Sequence, residues 1–570
     1  MAEILQREKR TFLPEEFVID SWEVLEPFFE NLNSRELNSV SELEKWILDR
    51  SEMDAVLEED MAWRYIKMNI DTRDKELSKS FNFFVSEISP KIAPYSNDFN
   101  KKLVACSHLE ELNAEKYFIY LRGVKSAIEL FREENIPIQT ELQTMSQKYG
   151  VISAKMMVEV DGESMTMQKA ATFLKNTDRA KREEIFCLMN FRRAEDSDEL
   201  NTLYSELIEK RQQVAKNADF ENYRDYMFSA MGRFDYSKED CFNFHDSIKD
   251  ELVSITAQFS KERKEKLKLD TLRPWDGDVD VSGKAPLKPF EGSRELIDKS
   301  VECLGRVNPY FGECIQIMDK MGHLDLDSKE GKAPGGFNYP LYEVGVPFIY
   351  MNSVGSFRDV ITMIHEAGHA VHSFLSRDLA VTDFKSTPSE VAELASMSME
   401  LITMDYWGVF FPDEADLKRA KKEHMEKILG ILPWIAMVDK FQHWVYENPT
   451  HSVEQRLAQW TSISDEFSVG ITDWSGFDEV RAIAWQKQLH LYEVPFYYIE
   501  YGMAQLGAIA VWRNYKANPE QAVAKYMRAL RLGYTKSIGE IYETAGVKFD
   551  FSAAYVKELA DFVKGELGKL

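Results

Sequence analysis

A mainly α, multi-lobed fold is what this sequence predicts, and three observations predict it. A chain of 570 residues exceeds the roughly 250–300 at which one hydrophobic core stops growing, so two or more lobes are expected. Apolar residues at 44% and charged residues at 29% lie close to the globular average, which excludes a mostly disordered chain. The 27 Gly and 18 Pro make about 8% of the chain against about 12% in average usage, so the breakers that punctuate all-β folds are scarce.

To about residue 225, charged segments of helical period dominate, such as Ser41–Arg50 and Thr202–Arg211, and they suggest stacked helices. The exception is Met157–Met165, where Asp161-Gly162 between two short alternating runs signals a tight hairpin. Arg273–Pro286, rich in Pro and Gly, is the best long loop. Its acidic spacing invites a calcium reading, but an EF-hand needs Gly where Val281 stands and Glu where Leu287 stands. Ile297, Val301 and Leu304 then mark an amphipathic helix. Lys332–Tyr339 is a breaker-rich loop, and Val346–Asn352 is an apolar run of strand length. Because Pro347 cannot donate to a ladder, that strand is expected at a sheet edge. Ser356-Phe-Arg-Asp359 has capping-box spacing and opens a helix that runs to about Leu375. From Pro388 onward the chain reads mainly as helices, Ala522–Arg531 among them.

A net charge of -26 would repel a phosphate backbone, so nucleic acid is excluded as a partner. No stretch approaches 18 consecutive apolar residues, and charges stand where a signal peptide's apolar core would lie, so a cytoplasmic protein without a membrane partner is expected. Cys106, Cys187, Cys241, Cys303 and Cys314 are odd in number and never form Cys-x-x-Cys, and they read as reduced packing residues.

The chemistry is carried by His365-Glu-Ala-Gly-His369, inside the capped helix. A period of 3.6 residues puts the two imidazoles one turn apart on a single face, where both can share an ion. Glu366 points about 100° round the helix and is placed to reach a water on that ion as a general base. A catalytic zinc needs a third protein ligand and one open position. The metzincin pattern would demand Gly at 372 and His at 375, but the sequence has His372 and Leu375, so the ligand must be a carboxylate. Glu390, Glu393 and Glu400 are the candidates. Thr387-Pro-Ser-Glu390 matches a capping box, which gives Glu390 structural work; Glu393, one turn inside, lacks that explanation and is the better ligand. Glu400, seven residues on, shares its face and could orient a ligating imidazole. A second cluster, His490 to Tyr501, is rich in aromatics that would ordinarily be core. Beside a zinc site, a phenol or imidazole there could donate to the oxyanion of peptide hydrolysis.

Together these residues resemble the oligoendopeptidase F-like branch of the thimet oligopeptidase family of zinc metallopeptidases. His365-Glu-Ala-Gly-His-Ala-Val-His372 fits the family's His-Glu-x-Gly-His-x-x-His, and Val391-Ala-Glu-Leu-Ala-Ser396 is similar to the segment whose glutamate, here Glu393, is the third zinc ligand. The family's following glutamate falls on Glu400. Lys332-Ala-Pro-Gly-Gly-Phe337 and Pro347–Asn352 are similar to the glycine loop and to the strand along which substrate lies, which implicates Gly335 and Gly336 in substrate binding. His490 and Pro495–Tyr501 are similar to the segment that supplies a substrate-binding histidine and transition-state tyrosines. One extra residue after His490 makes Tyr498 plus Tyr501 the preferred pair, with Tyr497 among the substrate contacts. The resemblance implies a helical, clam-shaped body with a deep channel and a small sheet near the site. Residues 1–200 are read as an N-terminal helical lobe and 201–570 as the catalytic region, with the specific motifs within 332–505.

The expectation is therefore one zinc per chain, held by His365, His369 and Glu393, with Glu366 as base and His490, Tyr498 and Tyr501 as donors, acting on internal bonds of oligopeptides. The protein is expected to be a monomer or weak homo-oligomer. The alternatives are a helical zinc carboxypeptidase and a peptide-binding protein with a vestigial metal site.

Overall fold

Capping side chains set where the N-terminal helices begin. In the computed structural model, which describes residues 4–333 and 335–570, the Ser39 side chain accepts a hydrogen bond from the Glu42 N–H at 3.2 Å and starts helix α1 (Val40–Ile70). The first three residues, and Pro334 of the glycine loop, lie outside the described residues. α1 buries Leu43, Trp46, Ile47 and Met53 in a hydrophobic cluster that runs from Leu13 to Val124 and takes in Val381 and Phe384. Farther along, Ala62 and Ile66 pack instead on Leu341, Phe348 and Tyr350. The largest cluster spans Met145 to Val563.

The expected hairpin is present. β1 (Met157–Val160) pairs antiparallel with β2 (Glu163–Thr166), and Asp161 and Gly162 both take positive φ, 54° and 82°, as a two-residue turn matched to strand twist requires. Thr202–Arg211 lies within α2 (Ser197–Asn217), and α3 (Lys238–Lys266) follows. Arg273–Pro286 is a loop with one short 3₁₀ turn, and arginines neutralise two of its acids: Asp276 meets Arg182 at 2.8 Å and Arg179 at 2.9 Å, and Asp280 meets Arg419 at 2.9 Å.

The strands β3 (Leu324–Asp327), β4 (Phe337–Tyr339) and β5 (Phe348–Ser353) form a sheet in the order β3-β5-β4, with β5 parallel to β3 and antiparallel to β4. The expectation drawn from Pro347 is thereby corrected: β5 is the central strand. Pro347 stands one residue before the ladder begins, where its missing N–H costs nothing, and the edges are β3 and β4. Beyond the sheet, α4 (Phe357–Ser376), α5 (Ser389–Ile402), α6 (Glu414–Glu447) and α7 (Tyr498–Ala517) build the rest of the central region, and α5 packs against both α4 and α7. Helices hold 69% of the chain, the mainly α class expected. All five cysteines are free thiols, and among the described residues no helix is long and apolar enough to cross a membrane.

Candidate metal centre and active site

α4 opens on the expected capping box: the Ser356 hydroxyl accepts from the Asp359 N–H at 3.3 Å, and Asp359 Oδ2 accepts from the Ser356 N–H at 2.8 Å. One turn apart on this helix, the rings of His365 and His369 have centroids separated by 4.9 Å. Gly368 between them lets α5 approach. A Cβ there would stand 2.5 Å from Ser396 Cα and 2.9 Å from the Ala395 carbonyl oxygen, closer than any side chain tolerates. The close approach carries Glu393 to the histidine pair, with its Oε2 3.2 Å from His365 Nε2 and 3.7 Å from His369 Nε2. A tetrahedral ion with bonds of 2.0–2.1 Å has ligand atoms roughly 3.3 Å apart, so the three donors fit a zinc-sized ion.

Behind these donors, His365 Nδ1 and Glu400 Oε1 lie 2.7 Å apart, and a proton on Nδ1 leaves the Nε2 lone pair facing Glu393. The other Glu400 oxygen is 3.4 Å from the buried His424 Nε2. Glu393 is itself held by hydroxyl donors, Ser396 at 2.9 Å and Tyr497 at 3.1 Å. Glu390 does not join the group. The expected capping box at Thr387–Glu390 does not form: Pro388 is the cap, and no side chain bonds the helix start. Buried Glu390 instead accepts from the Tyr236 hydroxyl, while its carbonyl accepts from Tyr542 at 2.9 Å.

Burial and charge separate the titratable groups. Burial pushes the Glu366 carboxyl up to about 7, with Glu393 and Glu400 adding to the effect and His365 opposing it. Glu393 faces the same burial penalty, but His369 and His365 outweigh it and hold its carboxyl at about 2. Burial also disfavours a charge on His365, yet its hydrogen bonds to Glu393 and Glu400 raise it well above the usual imidazole range. His369, where burial dominates, is pushed down to about 4.

The sheet reaches this centre through β4, where Asn338 Nδ2 donates to the Glu366 carbonyl at 3.2 Å. Just before β4, Gly335 takes φ 111°, a region that favours glycine, and a Cβ on Gly336 would stand 3.3 Å from the Tyr350 carbonyl oxygen. Asn352 Nδ2 ties this loop down by donating to the carbonyls of Ala333 and Gly335 at 2.7 and 3.0 Å.

From the other side come His490, in a short helix (Leu489–Glu493), and three tyrosines at the start of α7. The His490 ring centroid lies 4.9 Å from that of Tyr498 and 5.8 Å from those of Tyr497 and Tyr501. Burial pushes His490 down to about 4, and Gln488 Nε2 lies 2.6 Å from His490 Nδ1, so a neutral imidazole accepting there carries its proton on Nε2. Burial and then the Glu393 charge raise the Tyr497 and Tyr501 hydroxyls well above their ordinary value, with Glu366 a further contributor at Tyr501. Tyr498 rises to about 12 through burial, tempered by Trp434. The tyrosine segment is scaffolded by residues with no motif around them. Arg233 donates to the Phe496 carbonyl and, at 2.8 Å, to Glu500; Arg211 donates to the carbonyls of Leu491, at 3.0 Å, and Tyr492. Phe496 takes φ 69°, and its N–H donates to Gln442 Oε1 at 2.6 Å.

Comparison with known proteins identifies the family and the fold. The profile of Peptidase family M3 matches residues 172–291 and 312–561, and that of the Peptidase M3 N-terminal domain matches residues 12–131. An oligoendopeptidase F homolog of Borreliella burgdorferi is 25% identical over 501 residues, covering 84% of this chain and 82% of its own length. The structure of PZ peptidase A with an inhibitor shares the fold at TM-score 0.92 and 24% identity, covering 98% of this chain and 99% of its own. Oligoendopeptidase-F from Enterococcus faecium shares it at TM-score 0.64 and 16% identity, covering 96% of each chain.

Proposed function

From the premise that this chain belongs to peptidase family M3 and is a metallo-endopeptidase, we propose that it is a zinc-dependent oligoendopeptidase whose ion is held by His365, His369 and Glu393. The observation that carries the proposal is the meeting of Glu393 with the two histidines while Glu366, on the same helix, stays outside the donor set. When bound, zinc supplies Lewis acidity toward water and the scissile carbonyl. Glu366 is the general base: it takes a proton from the attacking water and delivers it to the leaving amine, a task suited to a buried carboxyl that stays outside the donor set. Glu400 fixes the His365 tautomer, and Tyr497 steadies Glu393. His490, donating from Nε2, and the hydroxyls of Tyr501 and Tyr498 are the candidates to stabilise the oxyanion. Gly335 and Gly336 let an extended peptide lie close beside β4, the sheet edge next to Glu366, with main-chain pairing that depends little on side chains. Five free cysteines support a reducing compartment, the cytoplasm.

A quenched fluorescent peptide blocked at both termini tests this reading. Internal cleavage that stops on chelation and returns with zinc is expected. Cleavage that requires a free C-terminal carboxylate would make the protein a carboxypeptidase, and binding without cleavage would make it a peptide-binding protein.

A further inference from the structure

A second set of metal-capable side chains lies buried between α3 and α6. Cys241 and His245 stand one turn apart on α3, and Asp439 and His443 stand one turn apart on α6. Cys241, Asp439 and His443 each offer a ligand atom within 4.8 Å of the others. His245 Nε2 is 2.8 Å from Asp439 Oδ2, and His443 Nε2 lies 3.2 Å from that same oxygen. All four are enclosed, with relative exposures of 0% for Cys241 and Asp439 and 2% for His245 and His443. Asp439 Oδ1 and both ring nitrogens of His443 have no hydrogen-bond partner among the described residues. Beyond Asp439 Oδ2, the His443 ring packs edge-on against Phe242, Phe228 and Phe496 at 4.9–6.0 Å.

A buried polar atom without a partner is costly, and a carboxylate oxygen beside an imidazole left in that state calls for a common occupant. A proton shared between Asp439 Oδ2 and a histidine would answer that oxygen but would leave Asp439 Oδ1 without a partner. A thiolate, an imidazole and a carboxylate converging from two helices form a donor set suited to zinc. We propose that this cluster is a second, structural zinc site, with Cys241, Asp439 and His443 as ligands. His245 orients the carboxylate, and Asp439 Oδ1 takes the remaining contact, so the ion is closed to substrate. Its position gives it work. The ion would clip α3 to α6 under Phe496, the residue before Tyr497, and the Phe496 N–H is held by Gln442 next to His443. The sequence reading counts one complete ligand set and treats Cys241 as packing; this set escapes it because its two halves stand 194 residues apart.

The test is made on the full-length protein and does not depend on peptidase activity. Metal analysis of the purified chain should give about two zinc per chain, falling to one in Glu393→Ala and in Cys241→Ser. Cobalt exchanged into the protein should produce thiolate-to-metal charge-transfer absorption, since the His365–His369–Glu393 site has no sulfur. That absorption should persist in Glu393→Ala and vanish in Cys241→Ser. A Glu393→Ala protein free of metal, a cobalt protein without the absorption, or absorption that survives Cys241→Ser would overturn the proposal. If Cys241→Ser does not fold, the cobalt spectrum of the unmutated chain decides.

Discussion

Glu366 and Glu393 are both buried, one on α4 and one on α5, yet their carboxyls are pushed to about 7 and about 2. Desolvation acts on both; the difference is that Glu393 faces two imidazoles, while Glu366 faces other carboxylates and a single histidine. Different losses follow from removing each. Glu366→Gln should keep its zinc and lose about 10²–10⁴ in kcat, the range of a general base, whereas Glu393→Ala should lose the catalytic zinc itself; metal analysis beside kcat separates them. Glu390→Ala should retain zinc but melt earlier, because it leaves the buried Tyr236 hydroxyl without its acceptor, at a cost of about 1–3 kcal/mol. The tyrosines divide in a similar way. Tyr501→Phe should lower kcat and kcat/KM together by about 10²–10³ with little change in KM, as loss of a transition-state donor requires. Tyr497→Phe, by freeing Glu393 Oε1, should register first as weaker zinc affinity in a chelator competition. Full activity in Tyr498→Phe and Tyr501→Phe alike would pass the donor role to His490.

At the scale of elements, the site depends on how closely α4 and α5 pack. Gly368→Ala would push a methyl group into Ser396 Cα and the Ala395 carbonyl, and neither backbone atom can swing aside. The helices must part, so Glu393 moves off the histidine pair. Expected are a destabilisation of about 1–3 kcal/mol and a loss of zinc affinity together; a Gly368→Ala protein with normal Tm and normal zinc affinity would show that the approach is not what sets the ligand distance. The contrast between Ser356 and Arg233 shows why some of this was legible in the sequence and some was not. The capping box, the histidine spacing and the Asp161-Gly162 turn are written within four residues of one another, where helix and hairpin geometry act directly. Arg233 and Arg211 meet their partners across hundreds of residues and His424 meets Glu400 from a different helix, and nothing local marks them. Pro347 misled for a related reason: a missing donor matters only at a paired position, and the pairing begins one residue later.

Over the whole molecule, burying neutral histidines couples stability to pH. Burial pushes His372 down to about 3 and His424 to about 4, against an ordinary value near 6.5. As pH falls below about 6.5, the unfolded chain takes up these protons while the folded chain does not. The stability is therefore complete above pH 6.5 and lost on the acid side, at roughly 1.4 kcal/mol per pH unit for each histidine. Tm should fall between pH 7 and pH 5, and His372→Gln should make that fall shallower; measuring both in a Glu393→Ala background keeps release of the catalytic zinc out of the comparison. An unchanged slope would mean that His372 is not titrating on unfolding. The shortness of β4 has a bearing on solubility. Fibril-forming segments run to about six or seven residues, and β4 is a three-residue edge. An edge of only three residues is thereby a poor template for stacking further copies of the chain, so β4 can stand unpaired without seeding aggregation.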